Sequence, residues 1–148
     1  IMGFIIKPVV TEKMTKITDK SSESKKFSTR SEKIAKANNA EKEVRSYIVK
    51  SKAHPEGVKK EKTVYTYTKE AQPKYGFICK PEANKLEIKK EIESLYNVTV
   101  VDVNTVRYAG KRQARYTKAG LVKGQKNAFK KAIVTLKAGD TIDFYSNI

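Results

Sequence analysis

The most regular apolar spacing in the chain is Leu86, Ile88, Ile92, Leu95 and Tyr96, which repeats at the period of a helix face and stops at Asn97. Asn84 followed three residues later by Glu87 matches a helix start in which cap and acid satisfy each other's backbone donors. Just before this helix, Tyr75-Gly76-Phe77-Ile78-Cys79-Lys80 predicts a short strand closed by Pro81. Just after it, Val98 to Tyr108 is rich in Val and Thr, whose branched side chains suit a half-buried pleat, and predicts a second strand. A third is expected over Ala128 to Lys137, with Ala132, Val134 and Leu136 on one face and Lys131, Thr135 and Lys137 on the other. Ala138-Gly139-Asp140 then turns the chain into Thr141-Ile142-Asp143-Phe144, a last extended piece. Strand, helix and strand make a split βαβ unit, with room for the third strand antiparallel between the first two. The expected fold is therefore α+β: a small sheet of three to four strands, partly antiparallel, packed on helix.

The rest of the chain is less regular. Thr11 to Ile17 predicts a short helix on the sheet or its rim. Thr11 caps it, Glu12 suits its positive start, and Met14 and Ile17 lie three apart on one face. Ile1 to Pro8 is a short apolar patch without signal-peptide architecture. Ile1 is not a start residue, so a few residues are expected upstream. Between residues 19 and 74, Asp19 to Arg30 is mostly polar, Ser31 to Val44 is weakly amphipathic and helical in pattern, and Lys50 to Lys62 forms a charged loop. Val64 to Thr68 alternates like a strand, belonging either to this segment or to the sheet edge. With so few apolar residues the segment predicts an insertion with little core, mobile until a partner orders it. The organisation expected is one domain over 1–148, with an insertion at 19–74 and an extended basic loop at 107–127.

Charge changes the picture more than composition does. Of 148 residues, 32 are Lys or Arg and 16 Asp or Glu, a formal +16 that repels itself unless a polyanion is bound. Residues 19–74 carry +7 and residues 103–139 carry +10, while residues 75–102 are nearly neutral and hold the core pattern. No apolar run approaches the roughly 18 residues of a membrane span, so membrane insertion is not expected. One cysteine, Cys79, and one histidine, His54, leave no disulfide framework and no soft-metal set, which points to a reducing compartment and no cofactor.

From Val103 to Gly139 there are ten basic residues and no acid. Soluble faces normally mix the two signs, so the compensating charge is external, and structured RNA is the partner that fits. The contacts expected are Arg107, Lys111, Arg112, Arg115, Lys118, Lys123, Lys126, Lys130 and Lys131 on phosphates, with Tyr108 and Tyr116 offering rings to unstacked bases. The alternative is a free-standing basic protein that touches nucleic acid without specificity. No catalytic set is present. Cys79 lies in an apolar strand and His54 in a charged loop without partners. Gly120 to Lys126 lacks the spacing of a phosphate cradle, and Asp140 and Asp143 flank the apolar Ile142 beside a turn, where a capping or solubilising role is the simpler one.

Several segments together are similar to the bacterial-type large-subunit ribosomal protein twenty-three. They are Pro8 to Lys13, the helix Asn84 to Tyr96, Val101-Asp102-Val103-Asn104-Thr105, Tyr108-Ala109-Gly110-Lys111-Arg112, and Lys130 to Leu136 running on to Asp143-Phe144. The resemblance covers about residues 4–18 and 75–146. It implies a structural protein of the large ribosomal subunit, in the cytoplasm or an organelle, beside the polypeptide exit. Its partners would be domain III of the large-subunit rRNA and neighbouring ribosomal proteins, and the loop Arg107 to Asn127 would run towards the tunnel. It also implies a docking point for a trigger-factor-type chaperone at Thr11, Glu12 and Lys13, with signal recognition particle and translocon as further partners. The residues alone equally allow Glu12 to be a helix-start acid. The departure from the family is the insertion of about 56 residues after the first helix.

Overall fold

The computed structural model describes residues 3–144. Along the chain run β1 (Ile5–Pro8), α1 (Glu12–Ser21), β2 (Lys25–Thr29), α2 (Glu32–Ala37), β3 (Glu41–Val49), β4 (Val58–Lys69), β5 (Lys74–Cys79), α3 (Lys85–Tyr96), β6 (Val100–Tyr108), β7 (Arg112–Thr117), β8 (Gly120–Gln125) and β9 (Phe129–Leu136). They divide into two compact units, Ile1–Glu23 with Ala71–Ile148, and Ser24–Glu70.

The first unit holds a four-stranded sheet in the order β1-β5-β9-β6, every neighbour antiparallel. β9 sits between β5 and β6, so those two run parallel and α3 is the crossover between them: the expected split βαβ. Register brings Phe77, Ala132 and Thr105 into one row and Tyr75, Val134 and Val103 into the next. Ile88 and Ile92, four residues apart on α3, close over these rows and have no exposed surface. At about 1.5–3 kcal/mol for each large apolar side chain buried, Phe77, Ile88, Ile92, Val134 and Leu136 are large contributors to what holds the unit together. α3 begins as its sequence predicts, the Asn84 N–H donating to Glu87 Oε2 at 2.8 Å. Its apolar stripe is narrower than predicted: Leu86 and Leu95 are 73% and 60% exposed, because the line Ile88–Ile92–Tyr96 is the one that faces the core.

β1 is a strand the apolar patch did not announce. It adds to the edge of β5, and the Glu91 carboxylate of α3 accepts from the backbone N–H groups of Phe4 (2.8 Å) and Ile5 (3.3 Å). α1 starts at the predicted cap, with Thr11 Oγ1 accepting from the Met14 N–H, and runs on to Ser21. It packs beside the first half of β5, where β1 has ended. Thr18 Oγ1 donates to the Lys74 carbonyl at 2.7 Å, the Lys74 N–H donates to Ser21 Oγ at 3.0 Å, and Met14 fills the space that Gly76 leaves without a side chain. Thr141–Phe144 forms no strand. Ile142 and Phe144 turn into the core instead, Phe144 meeting Tyr75, Phe77 and Tyr96 ring to edge, while Asp140 holds the turn by accepting from the Thr99 N–H at 2.9 Å. The resemblance ran to residue 146; residues 145 and 146, like Ile1, lie outside the described residues.

The second unit is a three-stranded antiparallel sheet, β2-β4-β3, with α2. The helix expected over Ser31 to Val44 stops at Ala37, because Asn39 takes a left-handed backbone (φ 48°) and the chain then extends into β3. The charged loop expected over Lys50 to Lys62 is only residues 50–57; from Val58 onward it is strand, turned by Gly57 at φ 87°. Val64 to Thr68 lies in β4 and pairs within this sheet, not along the edge of the other. Ala35 and Val64 are its buried apolar residues among those described, and β3 is exposed throughout.

Candidate nucleic-acid interface

β6 and β9 pair out to Tyr108 and Phe129, and the chain between them is not the open loop expected over Arg107 to Asn127. It is a two-stranded ribbon, β7 against β8, registered from Arg112↔Gln125 to Thr117↔Gly120. Two devices fix its neck. The Lys126 N–H donates to the Lys111 carbonyl at 3.0 Å, and Gln125 Nε2 donates to the Gly110 carbonyl at 2.7 Å. Gly110 is itself buried, and a side chain there would collide with the backbone carbonyl of Lys126. At the tip Thr117 Oγ1 donates to the Gly120 carbonyl at 2.8 Å, with Gly120 at φ 117°, a conformation that a residue with a Cβ rarely adopts.

Every residue from Lys111 to Ala128 is exposed, and these eighteen positions carry Lys111, Arg112, Arg115, Lys118, Lys123 and Lys126 with no acid. Strand alternation puts Arg112, Tyr116 and Lys123 on one face and Arg115 on the other, with Lys118 at the tip and Lys111 and Lys126 at the neck. Tyr116 is 85% exposed. The hairpin thus presents cations on all sides of a flat, solvated backbone that has no core of its own.

The remaining predicted contacts lie at its base and differ from one another. Arg107 is exposed at the end of β6. The Tyr108 ring stacks on Phe129 (centroids 4.9 Å apart, planes 19° apart), with Lys131 Nζ 5.6 Å from its centre, so it is already engaged within the protein. Lys130, expected on phosphates with Lys131, is turned away from it: it shares a side of β9 with Ala132 and Val134, and its Nζ donates to the Ala83 carbonyl at 2.7 Å. The strand alternates, so adjacent lysines cannot both face outwards, and Lys130 joins strand to helix approach.

Thr11, Glu12 and Lys13 open α1 and are all exposed. Thr11 is the cap, and the Glu12 carboxylate lies 3.3 Å from Lys16 Nζ one helical turn on, with its side chain 87% exposed. Among the described residues no group of three His, Cys, Asp or Glu could hold a metal, and no helix is long and apolar enough to cross a membrane. Burial in the core pushes the Cys79 thiol up to about 11, with Glu91 adding to the rise and Lys130 opposing it, which is the opposite of an activated nucleophile. Arg45, Lys60 and Lys62 form a second basic group, on one face of the β3–β4 ribbon. Sequence patterning did not single them out, because Lys50 to Lys62 lacks the alternation of a half-buried strand.

A split βαβ sheet that projects an acid-free basic hairpin defines a small cationic α+β protein with an exposed basic ribbon. Within that class the chain belongs to the ribosomal protein L23 family, whose model, described as "Ribosomal protein L23", matches residues 56–144. It is 54% identical over 76 residues to a protein of Chloroherpeton thalassium, covering 51% of this chain and 72% of that one. It is also 48% identical over 83 residues to one of Oleidesulfovibrio alaskensis (56% and 83%), and 44% identical over 77 residues to one of Chlorobaculum tepidum (52% and 75%). Each of the three is named large ribosomal subunit protein uL23. The match takes in β5 to β9 and the hairpin, and begins within the second unit. It does not reach residues 4–18, although β1 and α1 pack on the same sheet.

Proposed function

We propose that this chain is a structural constituent of the large ribosomal subunit that grips large-subunit rRNA beside the polypeptide exit, with the β7–β8 hairpin as its probe. The observation that carries the reading is the hairpin itself: eighteen consecutive exposed residues, six cations, no acid, and a neck held by backbone and side-chain hydrogen bonds. A lone two-stranded ribbon is marginal in water. Its cations and the exposed Tyr116 ring are matched by RNA, phosphates balancing Lys111, Arg112, Arg115, Lys118, Lys123 and Lys126 while a base rests on the ring. Arg107 and Lys131 extend the same charge onto the end of the sheet, whereas Lys130 and Tyr108 shape the base of the hairpin. The tethered neck sets the direction in which the hairpin leaves the sheet, and in the exit-site reading that direction leads along the tunnel wall.

The test is the salt dependence of binding to large-subunit rRNA fragments. Each phosphate contact contributes roughly 0.7–0.9 to the slope of log affinity against log salt. Replacing Arg112, Arg115 and Lys123 by Gln therefore lowers the slope by about 2–3 while preference for one rRNA fragment persists. An unchanged slope refutes the hairpin as the grip, and equal binding to any RNA of the same length favours the free-standing basic protein.

In the same reading, Thr11, Glu12 and Lys13 form the docking point for a trigger-factor-type chaperone, with signal recognition particle and translocon as later visitors to the exit. What supports it is geometry: Glu12 stands out at the start of a capped, exposed helix end, paired with Lys16. Glu12→Ala is expected to weaken chaperone binding to assembled ribosomes about tenfold and leave subunit assembly intact. Unchanged affinity returns Glu12 to the role of a helix-start acid.

A further inference from the structure

The second unit carries thirteen Lys and Arg against six Glu between Ser24 and Glu70, a formal +7, and its outer half is a ribbon of two strands. β2 reaches only Tyr65–Lys69 of β4, so Glu43–Val49 and Val58–Val64 pair with each other alone. The two faces of this ribbon differ. One carries Lys59, Glu61 and Thr63 of β4 with Val44, Ser46 and Ile48 of β3, and its charges cancel. The other carries Arg45 and Tyr47 of β3 with Lys60 and Lys62 of β4. Its single acid, Glu43, is occupied by Arg45 at 3.0 Å.

On that face Arg45 stands directly opposite Lys62, and Lys60 opposite Tyr47, with Lys62 Nζ 5.6 Å from the Tyr47 ring centre. Like charges directly across a strand pair repel, and an exposed two-stranded ribbon has no core to absorb that repulsion. Glu43 offsets Arg45 alone, so Lys60 and Lys62 are left without an acid on this face, and a polyanion would balance them. Cations two residues apart on a strand are about 7 Å apart, the scale on which successive phosphates of a nucleic-acid strand are spaced, and Tyr47 adds a ring among them.

We propose that the Arg45–Tyr47–Lys60–Lys62 face is a second RNA-binding site, which takes the phosphate backbone of an rRNA segment distinct from the one held by the β7–β8 hairpin. The site rests on the placement of the chain in the large subunit. An acidic segment of a neighbouring protein is the competing occupant, and the test separates the two.

An iron chelate tethered to Ala53→Cys, at the exposed turn that ends the ribbon, generates hydroxyl radicals in subunits assembled with the full-length chain. The same probe on Ala119→Cys, at the tip of the other hairpin, is the reference. Cys79 is fully buried and does not take the label. The expected result is discrete rRNA cleavage from position 53 at nucleotides different from those cut from position 119. In parallel, Lys60→Gln with Lys62→Gln lowers the salt slope of rRNA binding by about 1.5, and Lys60→Arg with Lys62→Arg keeps it. Cleavage from 119 with none from 53 overturns the second site and leaves the ribosomal placement standing, whereas silence from both overturns the placement too. Cleavage from 53 with an unchanged slope in the Gln variant also overturns it, showing proximity to RNA without contact.

Discussion

Glu91 shows how much one side chain decides. Its carboxylate accepts from two backbone N–H groups, those of Phe4 and Ile5, and so ties the incoming chain to α3 where β1 begins. Hydrogen bonds to a charged partner contribute about 1.5–3 kcal/mol when partly buried. Glu91→Ala is therefore expected to lower stability by about 2 kcal/mol and to expose the Phe4 and Ile5 amides to hydrogen exchange, with Glu91→Gln milder on both measures. Cys79 has a different consequence. Its thiol is pushed from the ordinary 9.0 up to about 11, mainly by burial. The folded state holds this proton more tightly than the unfolded state. That contribution is present in full below pH 9 and is lost as the pH climbs through about 11. Urea unfolding at pH 8 and pH 10.5 is expected to show a smaller loss for Cys79→Val than for the native chain. At this scale the sequence was informative about Cys79, Thr11 and Asn84, whose neighbours state their roles. It could not announce Glu91 or Lys130, whose partners lie 87 and 47 positions away.

Among elements, α3 and the three strands around it were legible because each carries its own period. β1 was not: four residues give too short a pattern, and an edge strand is defined by the neighbour it joins. The β7–β8 hairpin was hidden for a different reason. Both its faces are solvated, so no alternation of apolar and polar residues marks it as strand. Its geometry depends instead on the neck. Gly110→Ala brings a methyl group against the Lys126 carbonyl and forces the two chains apart. The expected outcome is loss of exchange protection at Lys126 and along β7–β8, and a roughly tenfold weaker grip on rRNA. The thermal unfolding of the four-stranded sheet should move by no more than about 3 °C. A large drop in that temperature would show that the hairpin and the sheet are one cooperative element.

At the scale of the whole molecule, two compact units of unequal core share one chain. Residues 21 and 74, on either side of the second unit, are already joined by the Lys74 N–H to Ser21 Oγ hydrogen bond. Replacing Ser24–Glu70 with a short Gly/Ser linker is thus expected to leave the first unit folded, its melting temperature within about 5 °C of the native chain. A collapse of near-ultraviolet circular dichroism would refute that independence.

By itself, the sequence determined the split βαβ unit, its core helix and strands, and the two blocks of positive charge. Apolar periodicity and charge are local quantities, written in consecutive residues. Only the tertiary structure decided that the basic loop is a tethered ribbon and that Lys130 turns inwards. The same holds for residues 24–70, whose strands pair into a sheet that gives its outer ribbon one cationic face. Those outcomes depend on which strands pair and in what register, and pairing is settled between residues far apart in the chain.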